Sequence, residues 1–315
     1  MQQKLWISLI FSLNIIMLFS CQKHFDRGMV YFFQMKYTNA IEEFSLAFAQ
    51  NDRPIEAAIM QMESLRNLQE YEVGLRVCDL ALKSFSNSLA LRIEKLLLAA
   101  DIFTSGQTKD DTLVVECYIE SKKYSPTNSW DYRALGSFFH SVMHDQPRAV
   151  WCYSKAIEID PKFYVAYFGR GYIYFNLGYY EKALEDYSLA ISLNPKNAVA
   201  YNNRAVIYEK LREYRKALKD YSSAIALCQN NPYFYDNRGH IYYYLGKYTK
   251  AIQDYTKAIE LHPTFTDAYL HRGDVYFALR QYDKAKLDLE KAIELDPNGE
   301  TRKLAEQILF FLPRE

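Results

Sequence analysis

Apolar and polar positions along this chain recur with a period of 34 residues. Pro161, Pro195, Pro263 and Pro297 fall in one frame, with Gln229 in the remaining place. Numbering that place 32 puts Tyr167, Tyr201, Tyr235 and Tyr269 at position 4 and Gly171, Ala205, Gly239 and Gly273 at position 8. Ala183, Ala217, Ala251 and Ala285 take position 20, and Ala190, Ala224, Ala258 and Ala292 take position 27. Helical periodicity places positions 4, 8 and 11 on one face of a first helix (A) and 20, 24 and 27 on one face of a second (B). Each period therefore predicts a helix pair that cannot bury both faces alone, so neighbouring pairs must stack. Small residues at 8 and 20 are expected where A and B cross, with bulky residues at 4, 11, 17 and 24 beside the crossing.

The frame extends in both directions and divides the chain into pairs at 21–54, 55–88, 89–128, 129–163, 164–197, 198–231, 232–265 and 266–299. Pair 129–163 carries one extra residue between its helices. Pair 89–128 is irregular, with a longer inner loop around Ser105, Gly106 and Gln107. Residues 300–315 should form a capping helix with Leu304, Ile308, Leu309 and Leu312 on its packed side and one of Phe310 and Phe311 exposed. Aromatic at 4, small at 8, 20 and 27 and proline at 32 resembles the tetratricopeptide repeat. The resemblance implies an all-α protein, a right-handed α-solenoid of about eight helix-turn-helix repeats.

The first twenty residues differ. Lys4 precedes an apolar run from Leu5 to Phe19, interrupted by Ser8, Ser12 and Asn14. Such a run has the length of a signal-peptide core rather than the roughly 20 residues of a stable span. It ends in Leu18-Phe19-Ser20-Cys21, which resembles a bacterial lipobox, with Phe19 departing from the usual small residue. That resemblance implies cleavage before Cys21 and acylation of its sulfur and amino group; the alternatives are an ordinary secretory signal or an uncleaved anchor. Gln22 after the cysteine, rather than aspartate, favours the outer membrane over the inner in sorting systems of the enteric type. The expected location is the bacterial cell envelope, lipid-anchored. The first helix pair and the expected mature terminus begin at the same residue.

Charge narrows the partners. Lys and Arg total 38, as do Asp and Glu, giving a net charge of zero; nucleic-acid binding leans on an excess of cations and is not expected. Of the 28 tyrosines, 21 fall at positions 4, 11, 17 and 24 and read as helix-crossing packing, not a cofactor box. Position 7 is Arg27, Arg170, Arg204, Arg238 and Arg272 in five repeats, and position 23 in the same repeats is Glu43, Asp186, Asp220, Asp254 and Asp288. Acid and arginine appear or vanish together, which predicts an ion pair between helices A and B. Cys78, Cys117, Cys152 and Cys228 show no CxxC or zinc spacing and read as free, buried thiols.

No phosphate loop, nucleophile elbow or HExxH motif occurs, so neither catalysis nor a cofactor is expected. His140 and His144 have metal-ligand spacing, but no further ligand is evident. In the resembled family, helix A lines a concave groove through positions 2, 5, 6, 9, 12 and 13. The groove residues so implied here are Asn202, Asn203, Tyr233, Asn237, His240, Tyr244 and His271. Asn203 and Asn237 share position 6, where the family uses asparagine to hold an extended peptide backbone. The basic clamp for acidic chain ends, at positions 2, 5 and 6, is missing from repeats five to eight. The expected function is a membrane-anchored adaptor that binds a protein or peptide partner. Cell-wall glycan binding through Tyr233, Tyr243 and Tyr244, or a spacer without ligand, are the alternatives.

Overall fold

The computed structural model describes residues 24–33, 35–105, 112–121, 123–297 and 299–313. They form seventeen helices and, among the described residues, no strand. Cys21 lies outside the described residues. The chain divides into two compact units, one ending at Leu177 and the other beginning at Gly178.

The first unit contains α1 (His24–Phe33), α2 (Tyr37–Ala49), α3 (Pro54–Asn67), α4 (Tyr71–Ser84), α5 (Leu89–Thr104), α6 (Thr112–Ser121), α7 (Ser129–Ser141), α8 (Gln146–Ile159) and α9 (Tyr164–Asn176). Paired helices pack on each other, and most second helices pack on the next first helix. The irregular 89–128 region contributes the most enclosed helix of this unit. Leu89, Leu91, Ile93, Leu96, Leu97 and Leu98 of α5 are all buried. Apolar residues on several sides of one helix call for enclosure, and α5 is covered by α3, α4, α6 and α7.

The second unit contains α10 (Tyr180–Leu193), α11 (Ala198–Lys210), α12 (Tyr214–Leu227), α13 (Pro232–Tyr244), α14 (Tyr248–Leu261), α15 (Thr266–Ala278), α16 (Tyr282–Leu295) and α17 (Glu300–Phe310). Local chemistry sets the helix ends. Asn197 accepts a hydrogen bond from the Ala200 amide, and Asn231, followed by Pro232 at the first helical position, accepts from the Tyr233 amide. These side chains satisfy amides that have no partner inside the helix. The turn between helices A and B places one residue with positive φ: Gln69 (61°), Arg212 (58°), Gly246 (67°) and Arg280 (58°).

Packing at the crossing differs in one respect from the expectation. The small residue at position 8 mainly makes room for the ring at position 24, and less for the backbone at 20. A Cβ on Gly239 would lie 2.8 Å from Tyr255, and one on Gly136 3.0 Å from Tyr153. At Gly273 the backbone of position 20 also comes close, with Ala285 O at 3.4 Å. Tyr187, Tyr221 and Tyr255, all at position 24, are fully buried.

The expected ion pairs form wherever both partners lie in one compact unit. Arg204, Arg238 and Arg272 fork onto Asp220, Asp254 and Asp288 with N–O distances of 2.7–2.9 Å. Arg27 reaches Glu43 at 3.0 Å. Arg204, Arg238 and Arg272 also donate to a hydroxyl of the preceding B helix: Ser188, Ser222 and Thr256 respectively. The position-4 tyrosines reach back similarly, Tyr235 donating to Gln229 O and Tyr269 to Pro263 O. Consecutive repeats are thus stitched by side chains as well as by apolar contact.

Helix α17 caps the last pair through Ala305, with Ile308, Leu309 and Leu312 beside it. Leu304, expected on the packed side, is exposed. The stripe 305–308–309–312 has helical spacing, and Leu304 falls about 100° away from it. Phe310 and Phe311 both remain about 70% exposed.

A candidate peptide groove on the second unit

Helices α11, α13 and α15 are the A helices of three successive repeats, and their exposed faces carry the sequence-implied groove residues. Four asparagine and tyrosine groups form a chain across two of them. Asn237 Nδ2 donates to Asn202 Oδ1 (3.0 Å), Asn202 Nδ2 to Asn203 Oδ1 (3.3 Å), and Asn203 Nδ2 to the Tyr187 hydroxyl (3.4 Å). An amide offers two N–H donors, and this chain uses one from each asparagine. Position 24 explains the floor: its buried ring delivers the Tyr187 hydroxyl to position 6 of the following repeat.

A second network runs beside the first. Glu209 accepts from the Tyr221 hydroxyl at 2.9 Å, and its other oxygen lies 2.9 Å from His240 Nδ1. The rings of His240 and His271 stack at 5.4 Å with 17° between planes. His271 Nδ1 lies 2.9 Å from Asp236 Oδ1, and its ring sits 5.5 Å from that of Tyr255. Burial works against a charge on His271, but the hydrogen bond and charge of Asp236, with Asp267 and Asp274, outweigh it and raise the pKa. Burial and the neighbouring Asp274 carboxylate push Tyr243 up to about 12.

The exposed aromatics are held at different angles. Tyr244 stacks on Tyr214 at 5.6 Å and 9°, with His240 tilted against it at 4.7 Å. Tyr243 meets Tyr244 at 62°, and Tyr233 packs its edge against Phe265. Tyr243 and Tyr244 therefore share no common plane, and Tyr233 lies against a different ring. The structure brings Asn202, Asn203, Asn237, His240, Tyr244 and His271 into one contiguous strip; Tyr233 stands apart, beside Phe265.

Sequence reasoning missed Glu209 and Tyr214, which hold the groove side chains in place. It also missed a charged cluster at groove positions of the first unit. Arg133, nearly buried, donates to Glu63 at 2.5 Å and to the fully buried Glu94 at 2.6 Å, and Arg66 pairs with Asp101 at 2.6 Å. Glu94 Oε2 is buried without a hydrogen-bond partner. Burial raises the Glu94 pKa against the pull of Arg133 and Arg66. Arg133 occupies position 5, where a clamp for an acidic chain end would need a cation, but two carboxylates already take it. Their spacing from Arg133 is 70 and 39 residues, so only the repeat frame could have revealed the contact.

His140 engages Gln146 Oε1 at 2.8 Å and meets Tyr172 edge-on, while His144 sits in the interhelix turn at φ 52°. Among the described residues no cluster of three or more His, Cys, Asp or Glu side chains is arranged to hold a metal. No described helix is long and apolar enough to cross a membrane.

Comparison with known proteins finds tetratricopeptide repeats in the chain. A family model described as TPR repeat matches residues 171–211 and 239–280, one described as tetratricopeptide repeat matches 198–231 and 266–298, and a further tetratricopeptide model matches 152–185. No curated protein matches the chain. Among solved structures, the chain is similar to that of the APC/C hetero-tetramer Cut9-Hcn1, with 14% identity, TM-score 0.70, and coverage of 91% of this chain and 55% of that one. It is also similar to the MamA protein, at 26% identity and TM-score 0.50 over 54% of this chain and 92% of that one. A third is YrrB, described as a TPR protein with an unusual peptide-binding site, at 23% identity and TM-score 0.50 over 61% of this chain and 97% of that one. This chain therefore carries tetratricopeptide repeats in an all-α architecture of consecutive helix pairs.

Proposed function

We propose that the tetratricopeptide repeats of this chain act as a non-enzymatic adaptor, holding an extended segment of a partner protein on the α11–α13–α15 face. The observation that carries this reading is the amide chain Asn237–Asn202–Asn203. It keeps the asparagines fixed in orientation while each retains an N–H for a peptide backbone, so little side-chain entropy is lost on binding. Tyr244 and His271 add side-chain contacts beside that row, and the peptide-binding site named for YrrB supports the same use of a helix-pair scaffold. The lack of a shared aromatic plane argues against a glycan, and an ordered polar network is more than a spacer needs.

We further infer that the adaptor is anchored in the bacterial envelope through an acylated Cys21. The sequence Leu18-Phe19-Ser20-Cys21 after a short apolar run supports this. The groove reading is tested with peptides selected by the full chain from a random display library. Asn203→Ala with Asn237→Ala should weaken the selected peptides by about 1–3 kcal/mol, the loss of a few hydrogen bonds, with little change in melting temperature. Peptides whose affinity survives this double change but falls when residues 21–128 are deleted would move the site to the first unit.

A further inference from the structure

The chain treats its own arginines in one repeated way. Arg204 sits 5.8 and 5.9 Å from the ring centroids of Tyr201 and Tyr208 while its guanidinium forks onto Asp220. Arg238 sits 5.8 Å from both Tyr235 and Tyr242 and forks onto Asp254. Two tyrosine rings and a carboxylate thus make a guanidinium site, since the ring faces attract a cation and the carboxylate matches its paired N–H groups.

The exposed groove contains the same components without the cation. Tyr244 and Tyr243 stand side by side, Tyr244 backed by Tyr214. Glu209 flanks them through His240, and Asp274 holds the position beside Tyr243 that His240 holds beside Glu209 one repeat earlier. Charge is asymmetric here. At the groove positions of α11, α13 and α15 there are four carboxylates, Glu209, Asp236, Asp267 and Asp274, and Lys210 is the sole lysine or arginine. The other arginines of these helices, Arg204, Arg238 and Arg272, are committed to aspartates of the B helices. A fork-shaped cation entering the strip would meet aromatic faces and carboxylates together.

We propose that the Tyr243–Tyr244 subsite, with Glu209 and Asp274, binds an arginine side chain of an extended partner segment. The inference rests on the peptide-groove reading and names the partner's chemistry: a basic, extended stretch of protein. Arginine is preferred to lysine because a planar group can lie on a ring and bond a carboxylate at once.

The test uses three fluorescein-labelled probes, each of three identical triplets: Gly-Ser-Arg, Gly-Ser-citrulline and Gly-Ser-Glu. Citrulline keeps the size of arginine and removes its charge. Binding to the full chain is followed by anisotropy at low salt. The arginine probe should bind at least tenfold more tightly than the citrulline probe, and the glutamate probe most weakly. In the Glu209→Gln, Asp274→Asn double variant the arginine advantage should fall below about threefold, while citrulline binding holds. Tyr244→Leu, at a half-exposed ring, should reduce the advantage without unfolding the protein, as judged by circular dichroism. An arginine preference that persists in the double variant overturns the proposal. So do equal affinities for arginine and citrulline; if both are then weakened by Asn203→Ala with Asn237→Ala, the peptide-groove reading still stands. Binding of none of the three probes overturns the arginine proposal, and the selected peptides then decide the peptide-groove reading separately.

Discussion

At the scale of single residues, the arginine–aspartate rungs are where charge and fold are most tightly linked. Asp254 is 8% exposed and has both oxygens on Arg238. Arg238→Leu should therefore cost about 2–4 kcal/mol in denaturant unfolding, somewhat less than a fully buried pair because Arg238 is partly solvated. Adding Asp254→Leu should recover part of that loss, since no charge is then stranded, whereas additive losses would mean that the two residues do not interact. His271 makes a pH-dependent contribution. Its pKa is raised in the folded protein, so its contribution is complete below the unfolded value of about 6.5 and fades as pH rises through the folded one. The stability difference between wild type and His271→Gln should accordingly be larger at pH 6 than at pH 8; a difference independent of pH would refute the assignment. These rungs were legible in the sequence because acid and arginine recur in step through five repeats. The Arg133–Glu63–Glu94 cluster was not, because it occurs once, in the least regular repeats, and no periodic signal marks it.

At the scale of helices, the A-to-B turn is fixed in shape whatever residue occupies it. Gly246 takes the left-handed conformation without strain, but Arg280 adopts it at φ 58° with a Cβ to accommodate. Arg280→Gly should raise stability by up to about 1 kcal/mol, the relief of strain being partly offset by the added freedom of glycine when unfolded. A loss of stability in thermal unfolding would show that the arginine side chain contributes something the turn geometry does not. Helix positions followed from the period of small and aromatic residues. Orientation of the last helix did not, because Leu304 and Ala305 are adjacent and only contact with Leu289 and Ala292 decides which one packs inward. Likewise the purpose of Gly239 was only half legible: sequence shows that a small residue is needed, and the structure shows that the Tyr255 ring is the reason.

For the whole molecule, the two compact units differ in what fills their groove positions. The first closes them with its own ion pairs, and the second leaves amides, imidazoles and tyrosines within reach of a partner. Such a division suits an adaptor held at one end and engaged at the other. Anchoring is tested directly: Cys21→Ala should leave an unprocessed precursor and abolish labelling by a palmitate analogue, and a variant processed and labelled like wild type would remove the lipid anchor from the proposal.

The four cysteines from Cys78 onward are each buried and in no disulfide. Burial pushes the Cys152 thiol up to about 12 and the Cys78 thiol higher still. Since the thiolate is the reactive form, neither oxidant nor alkylating agent can act until the surrounding helices part. Three of these sulfurs lie in the first unit and one, Cys228, in the second. Each half of the molecule thus carries its own internal clock: the rate at which a given thiol is alkylated under native conditions reports how often that half opens, independently of the other.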